Sequence, residues 1–270
     1  MNLAVKSAKD CARTVAETLL PGAMYARRIR LWTQNEPELC ILQALCSRDR
    51  LSLDIGAHQG LYVWHLLPIS KRVVAFEPLP QMSKILRSRY AGRVRLEQVI
   101  LSDQEGKGEL RHPKDRYGLA TVEESNSLSI STGRVIERIA APMKTLDSFA
   151  LHDVGFLKID VEGHEEAVLR GGIDTIARER PNLLIEVEER HSPQSLTRIR
   201  ALLERLAYSG YYLDASAIVG IDSFDQKRDQ PMSNMSEMSK TGRYINNFMF
   251  VPRDKVDTIV REASRYLQHH

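Results

Sequence analysis

Apolar residues recur at helical spacing near the start of the chain, with lysines and Arg13 on the other faces. The apolar positions are Ala4, Ala8, Ala12, Val15 and Leu19. This pattern predicts a helix that ends at Pro21-Gly22, within a helical N-terminal extension over residues 1–46. We interpret the extension as a cap over the core. The alternative is a helix that binds a membrane surface or a partner, although a face made mostly of alanine would bind lipid weakly.

From Leu51 onward, short apolar runs alternate with segments of helical spacing. The runs Leu51–Asp54, Val73–Phe76 and Val94–Leu101 predict three buried strands. Helices are predicted between them, at Leu61–Leu67 and Met82–Arg89. A β–α–β–α–β order is typical of a parallel sheet with helices on both faces. The pattern therefore predicts a Rossmann-like α/β fold.

The middle of the chain is less regular. Residues 105–142 contain Gly106, Gly108 and Gly118, which favour a hairpin or an insertion. Residues 125–132 read SNSLSIST and predict a polar loop.

The second half of the chain returns to alternating elements. Strands are predicted at Val154–Ile159, Leu183–Val187, Tyr211–Leu213 and Phe248–Val251. One helix is predicted from about Glu165 to Gly171-Gly172. Another is predicted to start at a Ser192 cap, with Pro193 at its first position, and to end at about Tyr208. Residues 222–243 are polar and rich in Ser and Met, which predicts a mobile lid or a disordered loop. We thus expect a main domain over residues 47–253 and a C-terminal helix over residues 254–270.

Composition narrows the class of protein. A chain of 270 residues that is 43% hydrophobic can bury one sizeable core. With 38 Lys and Arg against 35 Asp and Glu, the net charge is only +3, which argues against nucleic-acid binding. The cysteines, Cys11, Cys40 and Cys46, form neither a disulfide framework nor a zinc motif.

The expected location is the cytoplasm. The cysteine usage fits a reducing compartment. Charged residues interrupt the N-terminal apolar positions, unlike in a signal peptide. No window approaches the run of about 18 apolar residues that a membrane span needs, although peripheral membrane contact is compatible with the pattern. The oligomeric state stays open.

A glycine-containing turn follows the first predicted strand. It reads Asp54-Ile55-Gly56-Ala57-His58-Gln59-Gly60. Glycines let a backbone turn sharply and let a ligand approach it closely. The spacing is G-x-x-x-G, and it differs from the G-x-G-x-x-G that binds the pyrophosphate of a dinucleotide. The turn suits a ligand with an amino-acid moiety, whereas simple turn geometry is the alternative.

Acidic residues follow the next two predicted strands. Glu77 ends the second strand, 23 residues after Asp54, where Rossmann-like sites place an acid that accepts hydrogen bonds from ribose hydroxyls. A solvated strand end is the alternative for Glu77. Ser102-Asp103 follows the third strand, and its Asp is either an acceptor for an adenine amine or part of a turn.

Ionisable residues crowd the end of the fourth predicted strand, in the run from Lys158 to Glu165, KIDVEGHE. Open α/β sheets bind ligands at this edge, and crowding tunes proton affinity. We assign a functional role to Asp160. Glu165 and Glu166 are expected only to stabilise a helix N-terminus. His164 is either a catalytic base or a residue that hydrogen-bonds locally, and His191 is a weaker candidate base.

With these motifs, the chain resembles the FkbM-type methyltransferases. The matching stretches are LDIGAHQGLY at 53–62, VVAFEPLP at 73–80, VILSD at 99–103, TLDSF at 145–149, LKIDVEGHEEAVLRGG at 157–172, LLIEVEERH at 183–191 and NFMFVP at 247–252. The resemblance implies a class I methyltransferase domain with a seven-stranded, mostly parallel sheet whose last strand is antiparallel.

The resemblance also implies S-adenosylmethionine as cofactor. Asp54, Gly56, Ala57, His58 and Gly60 would then hold its methionine part. Glu77 would bind the ribose, and Ser102 and Asp103 the adenine. His58-Gln59 departs from the pattern, since relatives often have Asn and a small or apolar residue there.

The expected reaction is methyl transfer to a hydroxyl of a sugar, glycolipid or natural product. The enzyme has to align the hydroxyl with the methyl carbon, and Asp160 or His164 would remove its proton. Two rivals are a nicotinamide-dependent oxidoreductase and a non-catalytic scaffold with a methyltransferase fold. The glycine spacing argues against the first rival, and the intact acids at the strand ends argue against the second.

We predict that the reaction needs no metal. The alternative is a Mg²⁺ ion held by Asp160, Glu186 and Glu188 at neighbouring strand ends. Lys158 shares a strand face with Asp160, so its ammonium is placed to neutralise that carboxylate instead of a cation.

Overall fold

The computed structural model describes residues 21–114, 117–124, 126, 128, 135–234 and 242–268. The chain divides into two compact units, residues 1–37 and residues 38–270. The described part of the first unit, residues 21–37, contains helix α1, Pro21–Thr33. A helix thus begins at Pro21, and where the helix predicted before it ends stays a prediction. Proline lacks an N–H that the first turn of a helix does not need, and its fixed φ suits that position. The helix predicted before Pro21 lies outside the described residues.

The second unit alternates strands and helices in the predicted order. Its first elements are α2 Leu42–Leu45, β1 Leu51–Ile55, α3 Leu61–Leu66, β2 Arg72–Phe76, α4 Pro80–Tyr90 and β3 Val94–Glu97. The next are β4 Ile100–Leu101, β5 Gly106–Pro113, β6 Ile136–Lys144, β7 Val154–Ile159, α5 Glu165–Arg170, α6 Ile173–Glu179 and β8 Asn182–Glu186. The last are α7 Ser195–Arg205, β9 Tyr208–Asp214, β10 Ala217–Gly220, α8 Gln226–Asp229, β11 Asn247–Pro252 and α9 Val256–Leu267.

Eight strands form the main sheet in the order β10-β9-β11-β8-β7-β1-β2-β3. Neighbours from β8 to β3 pair in parallel, whereas β11 is antiparallel to both β8 and β9. The predicted mostly parallel sheet with an antiparallel last strand is confirmed. The short edge strand β10 is additional to the seven that we expected.

A second, three-stranded sheet has the order β4-β6-β5. The prediction of one strand over Val94–Leu101 is wrong, because the main-sheet strand ends at Glu97 and Ile100-Leu101 pairs with β6. Ile100 packs in a satellite apolar cluster with Leu79 and Leu110, and this cluster draws the chain away from the main sheet. The expected hairpin is confirmed, since β5 and β6 pair along their lengths.

The core lies around the central strands, because helices cover both faces of the parallel sheet. All six residues of β7 and of β11 are buried. At α7, the predicted Ser192 cap is wrong, since the helix begins at Ser195 after Gln194. The Glu189 carboxylate accepts a hydrogen bond from the Leu196 amide at 2.9 Å and takes over the capping role.

The segment predicted as a lid, residues 222–243, contains the short helix α8 in its described part. The Ile245 amide donates to the Asp229 carbonyl at 2.7 Å, so helix α8 within the segment is joined to the chain just after it. Residues 235–241 lie outside the described part, and mobility of the segment stays a prediction. Among the helices described, none has the length and apolar character to cross a membrane.

Candidate active site

A cleft opens at the carboxyl ends of β1, β2, β7 and β8. One side consists of residues that follow these strands, and the other consists of residues after β5, which we call the wall segment (residues 117–124). Five of the ten predicted site residues line the cleft: Gly56, His58, Glu77, Asp160 and His164. The wall segment contributes Tyr117, Gly118, Ala120 and Val122. The cleft therefore has an acidic end near β7 and β8 and a more apolar end near β4 and the wall segment.

The glycine turn after β1 is held by its backbone. Gly56 has a φ of 84°, and a Cβ at this position would overlap with the Asp160 carbonyl oxygen. The amides of Gly56 and Ala57 donate to the Phe76 carbonyl at 3.0 and 3.1 Å. Gly60, with a φ of 86°, precedes α3. These constraints require glycine at position 56 and bring the ends of β1, β2 and β7 into contact.

Glu77 lies at the end of β2 and is 4% exposed. Its carboxylate accepts hydrogen bonds from the amides of His58, at 2.7 Å, and Leu79, at 2.8 Å. Burial raises the pKa of Glu77 to about 7, and these two amides act in the opposite direction. Each carboxylate oxygen can accept a further hydrogen bond, so Glu77 can hold the glycine turn and still receive a diol.

Lys158 is a fully buried cation beneath the acidic end of the cleft. Its Nζ lies 3.5 Å from Asp160 Oδ2 and 3.8 Å from Glu186 Oε2. It also donates to Asn247 Oδ1 at 3.3 Å and lies 4.9 Å from the centre of the Tyr62 ring. The expectation that Lys158 faces Asp160 agrees with this geometry. A buried ammonium with these partners offsets its desolvation cost by pairing.

Asp54 lies at the base of the glycine turn and is 2% exposed. Burial raises its pKa to about 7, whereas Lys158 lowers it. Within the described part of the chain, Asp54 Oδ2 has no hydrogen-bond partner. An unsatisfied buried oxygen of this kind is costly and suits a site that a ligand donor completes.

His164 uses both ring nitrogens within the wall of the cleft. Nε2 lies 2.9 Å from Ser102 Oγ, and Nδ1 is hydrogen-bonded to Glu123 of the wall segment. This geometry supports the local hydrogen-bonding alternative for His164 more than the role of a base. Ser102 is buried behind His164, and Asp103 is exposed and lines a separate depression with Glu123 and Arg198.

Glu165 has a structural role in the loop before α5 rather than the expected one at a helix N-terminus. Its carboxylate accepts hydrogen bonds from the amides of Val161, at 3.3 Å, and Gly163, at 2.9 Å, and thereby holds the loop after β7. Glu186 lines the cleft. Glu188 is buried beside it, where it pairs with Arg190, accepts a hydrogen bond from Tyr244 and lies 3.8 Å from His191 Nε2. The described residues contain no cluster of three or more His, Cys, Asp or Glu arranged to hold a metal ion.

Two features of the cleft have little signal in the sequence. One is the wall segment, which the irregular pattern of residues 105–142 concealed. The other is the pair of Glu162 and His191, whose side chains meet at 3.3 Å although they are 29 positions apart. The only local signal for Glu162 was its position in the KIDVEGHE run.

The family model of the methyltransferase FkbM domain matches residues 54–209, which is more than half of the chain. The chain belongs to the FkbM methyltransferase family. S-adenosylmethionine is the cofactor that this family implies. The match includes Asp54, Glu77, Asp160 and Glu162, and it ends before β10, α8, β11 and α9. No match occurs among curated proteins.

Several solved structures are similar to this chain. The methyltransferase FkbM from Methylobacillus flagellatus KT is 16% identical, with 76% of this chain and 44% of that chain covered and a TM-score of 0.49. This chain thus spans less than half the length of that protein. An rRNA methylase from Streptococcus thermophilus is 11% identical, with 80% and 93% covered and a TM-score of 0.43. A Streptococcus mutans protein solved in complex with SAH is 9% identical, with 80% and 95% covered and a TM-score of 0.42.

Proposed function

We propose that this chain transfers the methyl group of S-adenosylmethionine to a hydroxyl oxygen of a small acceptor such as a sugar, a glycolipid or a natural product. The residues fit the cofactor. Glu77 offers acceptors to a diol, and the orphaned Oδ2 of Asp54 offers one to a cationic amine. Gly56 and His58 line the cleft with Glu77, whereas Asp54 lies at the base of the glycine turn and does not line the cleft itself. Ser102 and Asp103 do not line the cleft, so the apolar residues Leu79, Val99 and Ile100 are the better candidates for the adenine.

The observation that carries the proposal is the set of carboxylates at the acidic end of the cleft, Asp160, Glu162 and Glu186. An ionised carboxylate accepts hydrogen bonds and donates none, so these side chains can bind and orient hydroxyl donors. The same charges repel phosphates, which supports a small hydroxyl acceptor over a nucleic acid.

The main task of the protein is to align the acceptor hydroxyl with the methyl group. When bound, S-adenosylmethionine supplies an electrophilic methyl group. The carboxylates position the acceptor hydroxyl at about 3–3.5 Å from the carbon that it attacks, which removes much of the entropic cost of the encounter. The wall segment covers the opposite side with Tyr117 and Val122 and excludes water. A carboxylate at the acidic end removes the proton.

Calorimetry with three ligands tests the cofactor. We expect the full chain to bind S-adenosylhomocysteine and to bind neither NAD nor NADP. Binding of a nicotinamide dinucleotide alone would favour an oxidoreductase, and binding of none of the three would favour a scaffold.

Radiolabelled S-adenosylmethionine then tests the reaction. The acceptors are tested in pairs. Each pair consists of a methyl glycoside and its analogue in which one hydroxyl is replaced by an amino group. Label that appears in the hydroxyl compounds supports O-methylation. Label that requires the amino group contradicts it, while leaving the methyltransferase assignment intact.

A further inference from the structure

Glu162 and His191 form a carboxylate–imidazole pair at the edge of the cleft, in addition to the carboxylate–ammonium pair of Asp160 and Lys158. Glu162 lines the cleft, with 18% of its side chain exposed. His191 lies behind it and is 4% exposed. His191 Nε2 lies 3.3 Å from Glu162 Oε2. One carboxylate oxygen is thus within reach of a buried imidazole, and the carboxylate itself borders the space for the acceptor.

The backbone of Glu162 is held in an unusual conformation. Its φ is 55°, in the left-handed region that a residue with a side chain seldom adopts. Thr121 Oγ1 and Asn126 Nδ2 both donate to its carbonyl oxygen, at 2.8 and 2.9 Å. Residues kept in such a conformation by surrounding contacts are concentrated at active sites. The wall segment and its continuation therefore determine where the Glu162 side chain points.

Glu162 is better suited to take a proton than Asp160. The Lys158 ammonium lies 3.5 Å from the Asp160 carboxylate and opposes its protonation. For Glu162 the balance is reversed, because burial and then the carboxylates of Asp160 and Glu188 raise its pKa well above the usual range. A general base works best when its proton affinity is matched to the working pH.

His191 is a neutral neighbour of Glu162. Burial, and then the charge of Arg190, lower the pKa of His191 to about 4, so the ring is uncharged near neutral pH. A neutral imidazole has one N–H, and His191 Nε2 lies 3.3 Å from Glu162 Oε2 and 3.8 Å from Glu188 Oε2, so a proton on Nε2 would favour the ionised form of the carboxylate that it faces. The titratable and charged groups around the pair are Asp160, His164, Glu165, Glu188 and Arg190, with Glu123 on the wall segment.

We propose that Glu162 is the catalytic residue that accepts the proton of the acceptor hydroxyl, and that His191 is its positioning residue. This inference rests on the proposed methyl transfer to oxygen. The hydroxyl proton moves to a carboxylate oxygen of Glu162 while the hydroxyl oxygen bonds to the methyl carbon. The electron pair of the broken carbon–sulfur bond stays on sulfur, and protonated Glu162 returns the proton to water after the product leaves.

The first test needs no acceptor. The glutamate side-chain carboxyls of the full chain are labelled with ¹³C and titrated by NMR, with and without sinefungin, an analogue with an amine in place of the methylated sulfonium. Glu162→Gln identifies the resonance by its loss. We expect the pKa of Glu162 in the complex to lie above that of a free glutamate, and His191→Ala to raise it further. A Glu162 that stays protonated above about pH 9, or is fully ionised at about pH 5, overturns the inference.

The second test uses an acceptor from the glycoside panel. We expect Glu162→Gln to lower kcat by about 10²- to 10⁴-fold, with the affinity for S-adenosylhomocysteine unchanged. His191→Ala should shift the pH profile of kcat, whereas His191→Gln, whose amide nitrogen takes about the place of Nε2, should retain part of the normal profile. The matched control is Glu166→Gln, whose carboxylate pairs with Arg170 and Arg198 on the outside.

Normal kcat in Glu162→Gln would overturn the inference while the methyltransferase activity stands. If the wild-type chain binds no S-adenosylhomocysteine, the proposed function itself fails. If no glycoside is methylated, the NMR titration alone decides, because it measures whether Glu162 has the proton affinity of a base in the cofactor-bound state.

Discussion

Glu77 connects two functions at the scale of a single side chain. It accepts hydrogen bonds from the amides of His58 and Leu79, and so holds the glycine turn against the end of β2. The same carboxylate borders the cleft where we place the ribose. A residue with both tasks is hard to replace, because a neutral side chain weakens the turn and the diol contact together.

We predict that Glu77→Gln lowers the affinity for S-adenosylhomocysteine about ten- to a hundredfold, since one charge-assisted contact is worth about 1.5–3 kcal/mol. Calorimetry measures the loss. Glu97→Gln is the matched control, because Glu97 ends the neighbouring strand β3, pairs with Arg95 and does not line the cleft. Equal affinity in the wild type and Glu77→Gln would remove Glu77 from the cofactor site.

Lys158 is the second side chain to consider, because its position affects whether a Mg²⁺ ion can bind at the acidic end of the cleft. Its ammonium lies 3.5 Å from Asp160 and 3.8 Å from Glu186, which are two of the three carboxylates that a Mg²⁺ ion would use. We predict that methyl transfer survives exhaustive EDTA treatment and does not rise when Mg²⁺ is added. Activity that disappears with chelator and returns with magnesium would make Asp160 a metal ligand.

At the scale of elements, the segment over residues 222–243 depends on Asp229. Asp229 is buried and accepts hydrogen bonds from Arg228 and Arg243, each at 2.7 Å from Oδ1. The Asp225 amide donates to its other oxygen at 2.9 Å. Asp229 thereby joins helix α8 to the far end of the segment, so a lid motion is confined to the part between these two ends.

We predict that Asp229→Asn lowers the free energy of unfolding at neutral pH by about 1.5–3 kcal/mol and speeds amide exchange at Ile245. The hydrogen bond from Arg228 holds the pKa of Asp229 well below its usual range. Because the pKa of Asp229 is lower in the folded chain than in the unfolded chain, its ionised form adds to the free energy of unfolding above the unfolded pKa of about 4. This contribution is lost as the pH falls from about 4 through the folded pKa. The difference between variant and wild type should therefore shrink in acid.

Urea unfolding and amide exchange measure these effects. The control is Asp222→Asn, because Asp222 lies in the same segment with an 82% exposed side chain. Equal stability of Asp229→Asn and wild type would show that the ends of the segment are held by other contacts. Strong protection throughout residues 222–243 would contradict the lid prediction as a whole.

At the scale of the whole molecule, the sheet gathers acids from distant parts of the chain into one buried group. Burial raises the pKa of both Asp54 and Glu77 to about 7. Near pH 6, these carboxyls are largely protonated in the free chain. A ligand with a positive charge and hydroxyl donors favours their ionised forms, so its binding must release protons there.

We predict that binding of sinefungin releases up to about two protons near pH 6 and almost none above about pH 8.5, and that affinity rises with pH between these values. Calorimetry in buffers with different ionisation enthalpies measures the released protons. Glu77→Gln should lower the proton release, whereas Glu97→Gln should leave it unchanged. A proton count that is zero at all pH values would contradict the coupling of cofactor binding to these two acids.

Much of this architecture could be read from the sequence. Short apolar runs predicted β1, β2, β7, β8 and β11, because a strand buried on both faces needs consecutive apolar residues. Acids and glycines at the ends of these runs predicted the site, since parallel strands bring their carboxyl ends to one edge. These signals are local, because each pattern spans only about ten consecutive residues.

Only the tertiary structure decided which side chains meet. The departure of Ile100 from the main sheet depends on its contacts with Leu79 and Leu110, which no local pattern encodes. The ring nitrogens of His164 form hydrogen bonds with Ser102 and Glu123, which lie 62 and 41 positions away along the chain. Hydrogen bonds and ion pairs act over a few ångströms in space regardless of separation in sequence. The sequence therefore determined the order of the elements and the edge that holds the site, and long-range packing determined which acid faces a cation and which faces an imidazole.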